Sequence, residues 1–143
     1  MTPPTGDGAS PAPIDRPILE LLRDRLDTTQ QVETATITDE GHLELRVGLS
    51  DAYYPETVRE ARLAVRWYEN DDFKIHYREV REDGDWECRW DRHRNPHNER
   101  DYFHPPPEAQ SPGEDASWPT DYREVLRFVL DEIEDRVQTL WRG

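Results

Sequence analysis

Apolar and polar residues alternate strictly along several short stretches of this chain, and recur at three-to-four-residue spacing along two longer ones. Leu43, Leu45, Val47 and Leu49 alternate with His42, Glu44, Arg46 and Gly48. Leu63, Val65 and Trp67 alternate with Arg62, Ala64, Arg66 and Tyr68. Phe73, Ile75 and Tyr77 alternate with Lys74, His76 and Arg78, and Trp86, Cys88 and Trp90 with Glu87, Arg89 and Asp91. A period of two puts one set on each face of a strand. Residues 31–38 lack that alternation but are rich in β-branched side chains, which predicts one more strand. Asp39-Glu40-Gly41, Asn70-Asp71-Asp72 and Asp83-Gly84 are turn formers between these runs. Such short connections predict an antiparallel meander of about five strands.

Helical spacing brackets the strands. Ile18, Leu19, Leu22 and Leu26 form one apolar stripe, with Asp15 as the expected N-cap and Pro17 in the first turn. Tyr122, Val125, Leu126, Val129, Ile133, Val137 and Leu140 form another, in a helix starting between Ser117 and Thr120. The expected fold is therefore α+β: a sheet with an N-terminal and a C-terminal helix. Residues 1–13, all Pro, Gly, Ser, Thr and similar, read as a disordered tail, and 14–143 as a single domain. Residues 92–118, rich in proline and histidine, read as one long loop, too long for a plain connector.

Composition alters this picture in one respect. Only 34% of residues are hydrophobic and the net charge is -14, values that also suit disordered chains. Five Trp, six Tyr and three Phe supply enough buried area for a core. One lysine stands against seventeen arginines, and acids outnumber both. That balance suits a salt-loving cytoplasm, where molar salt shortens the Debye length to about 3 Å and screens self-repulsion. Cys88 is alone, so no internal disulfide forms. No run is long and apolar enough to span a membrane, and the first residues lack a signal pattern. A cytoplasmic protein with no membrane partner is expected.

Candidate chemistry lies on two features. If Leu45, Val65, Ile75 and Trp86 point inward, then Arg46, Arg66, His76, Arg78 and Arg89 share the opposite face. Arginine forks suit phosphate oxygens, so this face is a candidate for RNA, with Tyr68 as a stacking platform. The plainer alternative is neutralisation by Glu44, Glu79 and Glu87 across the strands. Trp67, Trp86 and Trp90 fall on the core side. The second feature is His93, His97 and His104 following Asp91. Metal-independent ribonuclease chemistry needs a base, an acid and a cation. His97, His104 and Arg89 would fill these roles, with Asp91 orienting one of them; the alternative is that the histidines cap the loop. The histidine spacings match no standard zinc pattern, so neither metal nor cofactor is expected. Asp131, Glu132, Glu134 and Asp135 on the last helix read as a solvated face or as a dock for a basic partner.

The segment YREVREDGDWECRWDRHRNPHNERDYFHPPP resembles the signature region of TumE-type toxins. The matching residues are Arg89-Trp90-Asp91, Pro96-His97 and Phe103-His104, with DYREVLRFVLDEIEDRV as the closing helix, over about residues 60–140. The family's doubled histidines are thinner here, since Asn98 follows His97 and Pro105 follows His104. The resemblance implies the toxin of a type II toxin–antitoxin pair and a separate helix-turn-helix antitoxin. Ribonuclease activity on RNA is the expected mechanism, with the histidines drawn from one chain or from two in a homodimer. The alternative is a non-enzymatic protein-binding module.

The charge balance carries its own test. Raising salt from about 0.1 M to about 1 M, which shortens the Debye length from about 10 to 3 Å, is expected to raise the urea midpoint of unfolding. Circular dichroism reads this, and a midpoint indifferent to salt would sink the salt-loving reading.

Overall fold

The computed structural model describes residues 12–93 and 100–143. In chain order they form α1 (Arg16–Asp27), β1 (Val32–Asp39), β2 (Leu43–Leu49), β3 (Val58–Trp67), β4 (Phe73–Arg81), β5 (Trp86–Arg92), β6 (Asp101–His104), β7 (Glu114–Asp115) and α2 (Tyr122–Arg142). All strands pair antiparallel with their sequence neighbours, in the order β1 to β7. The α+β class and both helices are as expected, but the sheet has seven strands and not five. The two additional strands come from the stretch read as a single loop. β6 is four residues long and β7 two, with no apolar residue, so neither shows a readable period.

The N-terminal end of α1 follows from its residues. Asp15 caps it by accepting from the Ile18 amide at 3.1 Å. The chain before it is anchored to β3: Asp15 N donates to Trp67 O at 2.8 Å, and Glu69 N to Pro13 O at 2.9 Å. Residues 12 and 13 are thus part of the fold, while the rest of the expected tail lies outside the described residues.

Register aligns the inward side chains into rows. Leu45, Val65, Ile75, Trp90 and Phe103 are cross-strand partners through five strands. The helices cover this face with Leu19, Leu22 and Leu26 from α1, and Val125, Leu126, Val129, Ile133 and Val137 from α2. α1 lies over β1 to β3, and α2 beside it over the later strands. Burying such side chains is worth roughly 1.5–3 kcal/mol each and supplies the main driving force.

A carboxylate shares the core. Glu79 follows Phe73, Ile75 and Tyr77 on the inward face of β4 and is 0% exposed. It was expected to neutralise the outward arginines; strand parity turns it the other way. A buried carboxylate must be paired. Arg136 of α2 donates to both its oxygens, at 2.8 and 3.0 Å. Tyr77 OH donates at 2.7 Å, and that phenol lies 2.7 Å from Tyr54 OH. The Arg136 guanidinium also lies over the Trp86 ring, 3.8 Å from its centroid.

Removing one partner leaves a buried charge. Glu79→Ala is expected to cost about 3–5 kcal/mol in guanidinium unfolding, while the double change Glu79→Leu/Arg136→Met recovers most of it. Equal loss in both variants would show that packing, not the charge, is what matters there.

Candidate functional site

Strand parity sets the outer face as firmly as the core. Three rows cross it. Gly48, Arg62, Arg78 and Glu87 form one; Arg46, Ala64, His76, Arg89 and His104 the next; Arg66, Lys74, Asp91 and Tyr102 the third, with Glu44 of β2 beside Arg66. Arg46, Arg66, His76, Arg78 and Arg89 therefore do share a face, and Arg62 joins them.

Carboxylates interleave with these cations. Glu44 binds Arg46 at 3.1 Å and Arg66 at 3.3 Å, and His42 lies 3.5 Å away. Burial alone would raise the Glu44 carboxyl; the hydrogen bond from Arg46 and the charge of Arg66 outweigh it and hold it below its usual value. Glu87 lies 2.8 Å from His76 Nε2, and Glu60 3.2 Å from Arg62. Arg78 is held by Asp85. A groove of about 650 Å³ runs across β1 to β3 here, between Thr34, Thr36 and Thr38 on one side and Arg46, Glu60 and Arg62 on the other. Tyr68 does not belong to this surface. It lies beyond β3, bridged to Ile14, and is 7% exposed, so no ring face is open for a base.

At the β5–β6 end, the face closes over a buried cluster. Asp91 is 0% exposed. Arg89 Nε donates to its two oxygens at 2.9 and 3.1 Å. His104, cross-strand from Arg89, brings Nε2 to 3.0 Å from Asp91 Oδ2 and 3.2 Å from Arg89 Nη2. His93 brings its Nε2 to 3.7 Å from the same oxygen. Burial by itself would raise the Asp91 carboxyl. The hydrogen bond from His104, the nearby His93 ring and the charge of Arg89 reverse that and hold it well below the carboxylate range.

The His104 ring is fixed from behind. Its Nδ1 lies 3.0 Å from the Gln110 carbonyl, which only accepts, so Nδ1 carries a hydrogen. Gly113 packs against the ring: a Cβ there would lie 3.1 Å from His104 Cε1 and 3.0 Å from Tyr102 Cβ. Only Nε2 is left to exchange a proton. Carrying none, it accepts from Arg89; carrying one, it donates to Asp91. His104 is 4% exposed, whereas the Arg89 side chain is 21% exposed. Arg89 is thus the member of the cluster that an anion meets first.

The fold therefore joins Arg89, Asp91 and His104 and adds His93, which follows β5 and keeps pairing through its amide to Arg100 O at 2.9 Å. His93 stood in the sequence without an assigned role; its spacing of two from Asp91 was the available signal. His97 lies outside the described residues. Among the described residues, no group of three or more His, Cys, Asp or Glu is arranged to hold a metal ion. Among them, too, no helix is long and apolar enough to cross a membrane.

A family model described as Toxin TumE matches residues 18–137. The match reaches back through β1, β2 and α1, beyond the stretch that carries the resemblance. No curated protein and no solved structure matches the chain.

Asp91 generates a pH prediction. Its folded-state carboxyl is held below the unfolded value of about 4, so its contribution is fully present above that value. It is lost as pH falls below about 4, toward the lower folded value. Asp91→Asn is expected to cost about 1–3 kcal/mol at neutral pH, and the gap to wild type should narrow in acid. Urea titrations at both conditions read it; a gap of constant size would mean that the carboxylate charge is not what binds the cluster.

Proposed function

The chain belongs to the TumE toxin family, and from that premise we propose that it is the toxin of a type II toxin–antitoxin pair, acting in the cytoplasm on RNA as a metal-independent ribonuclease. The observation that carries the chemistry is the convergence of Arg89, Asp91 and His104 on the cation-bearing face. RNA cleavage without a metal needs a cation on the phosphate, a base for the 2′-hydroxyl and an acid for the leaving oxygen. Arg89 is the cation. A phosphate reaching it exchanges one guanidinium edge with Asp91, and Asp91 keeps His104 in register. His104 Nε2 takes one proton role. The second falls to His97, as the sequence suggests, or to His93, whose Nε2 lies 3.7 Å from Asp91.

Neighbouring phosphates would follow the rows of Arg46, Arg62, Arg66 and Arg78. Each of these is tied to a carboxylate in a partly exposed pair, worth about 0–1 kcal/mol, so a phosphate displaces it at small cost. The neutralising agent is a separate helix-turn-helix antitoxin. A homodimer is not needed to bring Arg89, Asp91 and His104 together, since one chain supplies all three.

One observation favours the second reading, a binding module without chemistry. His104 is buried beneath residues 105–113, so its ring meets a substrate only when that segment gives way. Induced expression without antitoxin separates the two readings. Wild type is expected to arrest growth, and Arg89→Ala and His104→Gln, at equal soluble level, to relieve it. Purified protein should lose cleavage of single-stranded RNA by about a hundredfold or more in either variant. Arrest by folded variants without cleavage would leave the binding module, and normal growth with wild type would sink the toxin assignment.

A further inference from the structure

Two helices do not cover seven strands. Strands about 4.8 Å apart make a sheet roughly 30 Å wide, and helices about 10 Å across shield about two-thirds of it. The least covered strip of the helix side is at β5 and β6, where Trp86 and Phe103 are only half-buried. There a partly open cleft of about 290 Å³ lies beside α2. Its floor is aromatic: Trp86, Trp90 and Phe103, with Tyr77 at the back. Its wall is a stripe of α2 carrying Glu132, Asp135 and Thr139, which spans about 10 Å at 1.5 Å per residue. That length fits about three residues of extended chain.

Two independent observations point to an occupant. Trp90 is 3% exposed and lines the cleft, and its Nε1, itself withdrawn from solvent, has no hydrogen-bond partner among the described residues. A buried indole N–H ordinarily finds one. At the rim, burial raises the Glu132 carboxyl above its usual value, and the charges of Asp135 and Asp131 raise it further. The nearby cation, Arg136, is taken by Glu79. A positive group from outside would relieve that repulsion.

We propose that this cleft docks an extended segment of a partner polypeptide, which lays one large aromatic side chain against Phe103 and the edge of Trp86 that Arg136 leaves free, turns the Trp90 ring so that its Nε1 donates to an acceptor of that segment, and sets a lysine or arginine against Glu132 and Asp135. The cleft holds about one such side chain and is only partly enclosed, which suits a chain laid along it more than a sequestered small molecule. The proposal rests on the toxin reading only for the partner's identity, as the antitoxin; the site itself stands apart from Arg89 and His104.

The test uses the full chain labelled with ¹⁵N, whose five tryptophans give five indole N–H signals. Trp90→Phe identifies the signal of Trp90. The probe is the blocked tripeptide Lys-Trp-Lys, with Lys-Ala-Lys, Glu-Trp-Glu and tryptamine as comparisons. Lys-Trp-Lys is expected to move the Trp90 signal saturably in the millimolar range, with Lys-Ala-Lys inert and Glu-Trp-Glu weaker. Glu132→Lys should weaken it about fivefold with the other indoles unmoved. An unmoved Trp90 signal, or equal shifts from Lys-Ala-Lys, overturns the proposal. Tryptamine binding as tightly as the peptide overturns it in favour of a small ligand, and a Trp90 signal that moves with protein concentration alone overturns it in favour of a second copy. None of these readouts depends on toxicity, so a failed cleft and a failed toxin reading are told apart.

Discussion

A carboxylate withdrawn from water has to be met by a cation and by hydrogen-bond donors, and the arrangement of this molecule turns on two such groups. Glu79 and Asp91 are both fully buried, on adjacent strands and opposite faces of the sheet. Glu79 is met by Arg136 from α2, with Tyr77 as a further donor. The forked geometry of that pair sets how α2 is turned about its own axis. It thereby fixes which residues of α2 face the sheet and which, Glu132 and Asp135, border the cleft. Asp91 is met by Arg89 on its own strand and by His104 on the next. The first arrangement crosses from helix to sheet and holds the layers together. The second stays within the sheet and leaves the edge of its arginine exposed.

Much of this was legible in the residues. Alternation in β2 to β5 identified the strands, their faces and the shared face of Arg46, Arg66, His76, Arg78 and Arg89. The same alternation, carried one step past Tyr77, also places Glu79 inward; charge had suggested the reverse, and parity decides because a one-residue flip would expose the whole row. β6 and β7 were not legible, since two to four residues held by pairing with β5 and β6 respectively carry no period of their own. Tyr68 alternates correctly but lies past the strand end, where the chain before α1 covers it. Arg89, Asp91 and His104 were named from the sequence together with His97, which lies outside the described residues, but the register that makes Arg89 and His104 direct partners is a property of β6. The role of Gln110 and Gly113 in fixing the His104 ring comes from a segment that sequence pattern reads only as loop.

The net charge of -14 is not spread evenly. On the outer face, the arginines are paired with neighbouring carboxylates, so that face is close to neutral while the acidic excess lies elsewhere. Glu44, gripped by two arginines, shows the consequence for an incoming polyanion. The face offers cations at fixed spacing, each released from a weak pair, and not a continuous positive field. Binding there would depend on geometry more than on long-range attraction, which suits a medium of high salt where such attraction is screened within a few ångström.

β5 links the two faces. Trp90 points to the cleft, and the residues on either side of it, Arg89 and Asp91, point to the outer cluster. A polypeptide seated on Trp90 would therefore lie one residue away from both members of the ion pair, across the thickness of the sheet, without covering either. Restraint imposed on Trp90 reaches Arg89 and Asp91 through two peptide bonds and the β4 and β6 pairings that clamp the strand. A partner on the helix side would thus act on the outer site by fixing β5, and would have to shift or stiffen that strand to silence it. Blocking the outer face directly would require a second contact, and the charge pattern there, already balanced pair by pair, gives a basic segment no comparable anchor. The acidic, aromatic cleft is where such a segment gains most.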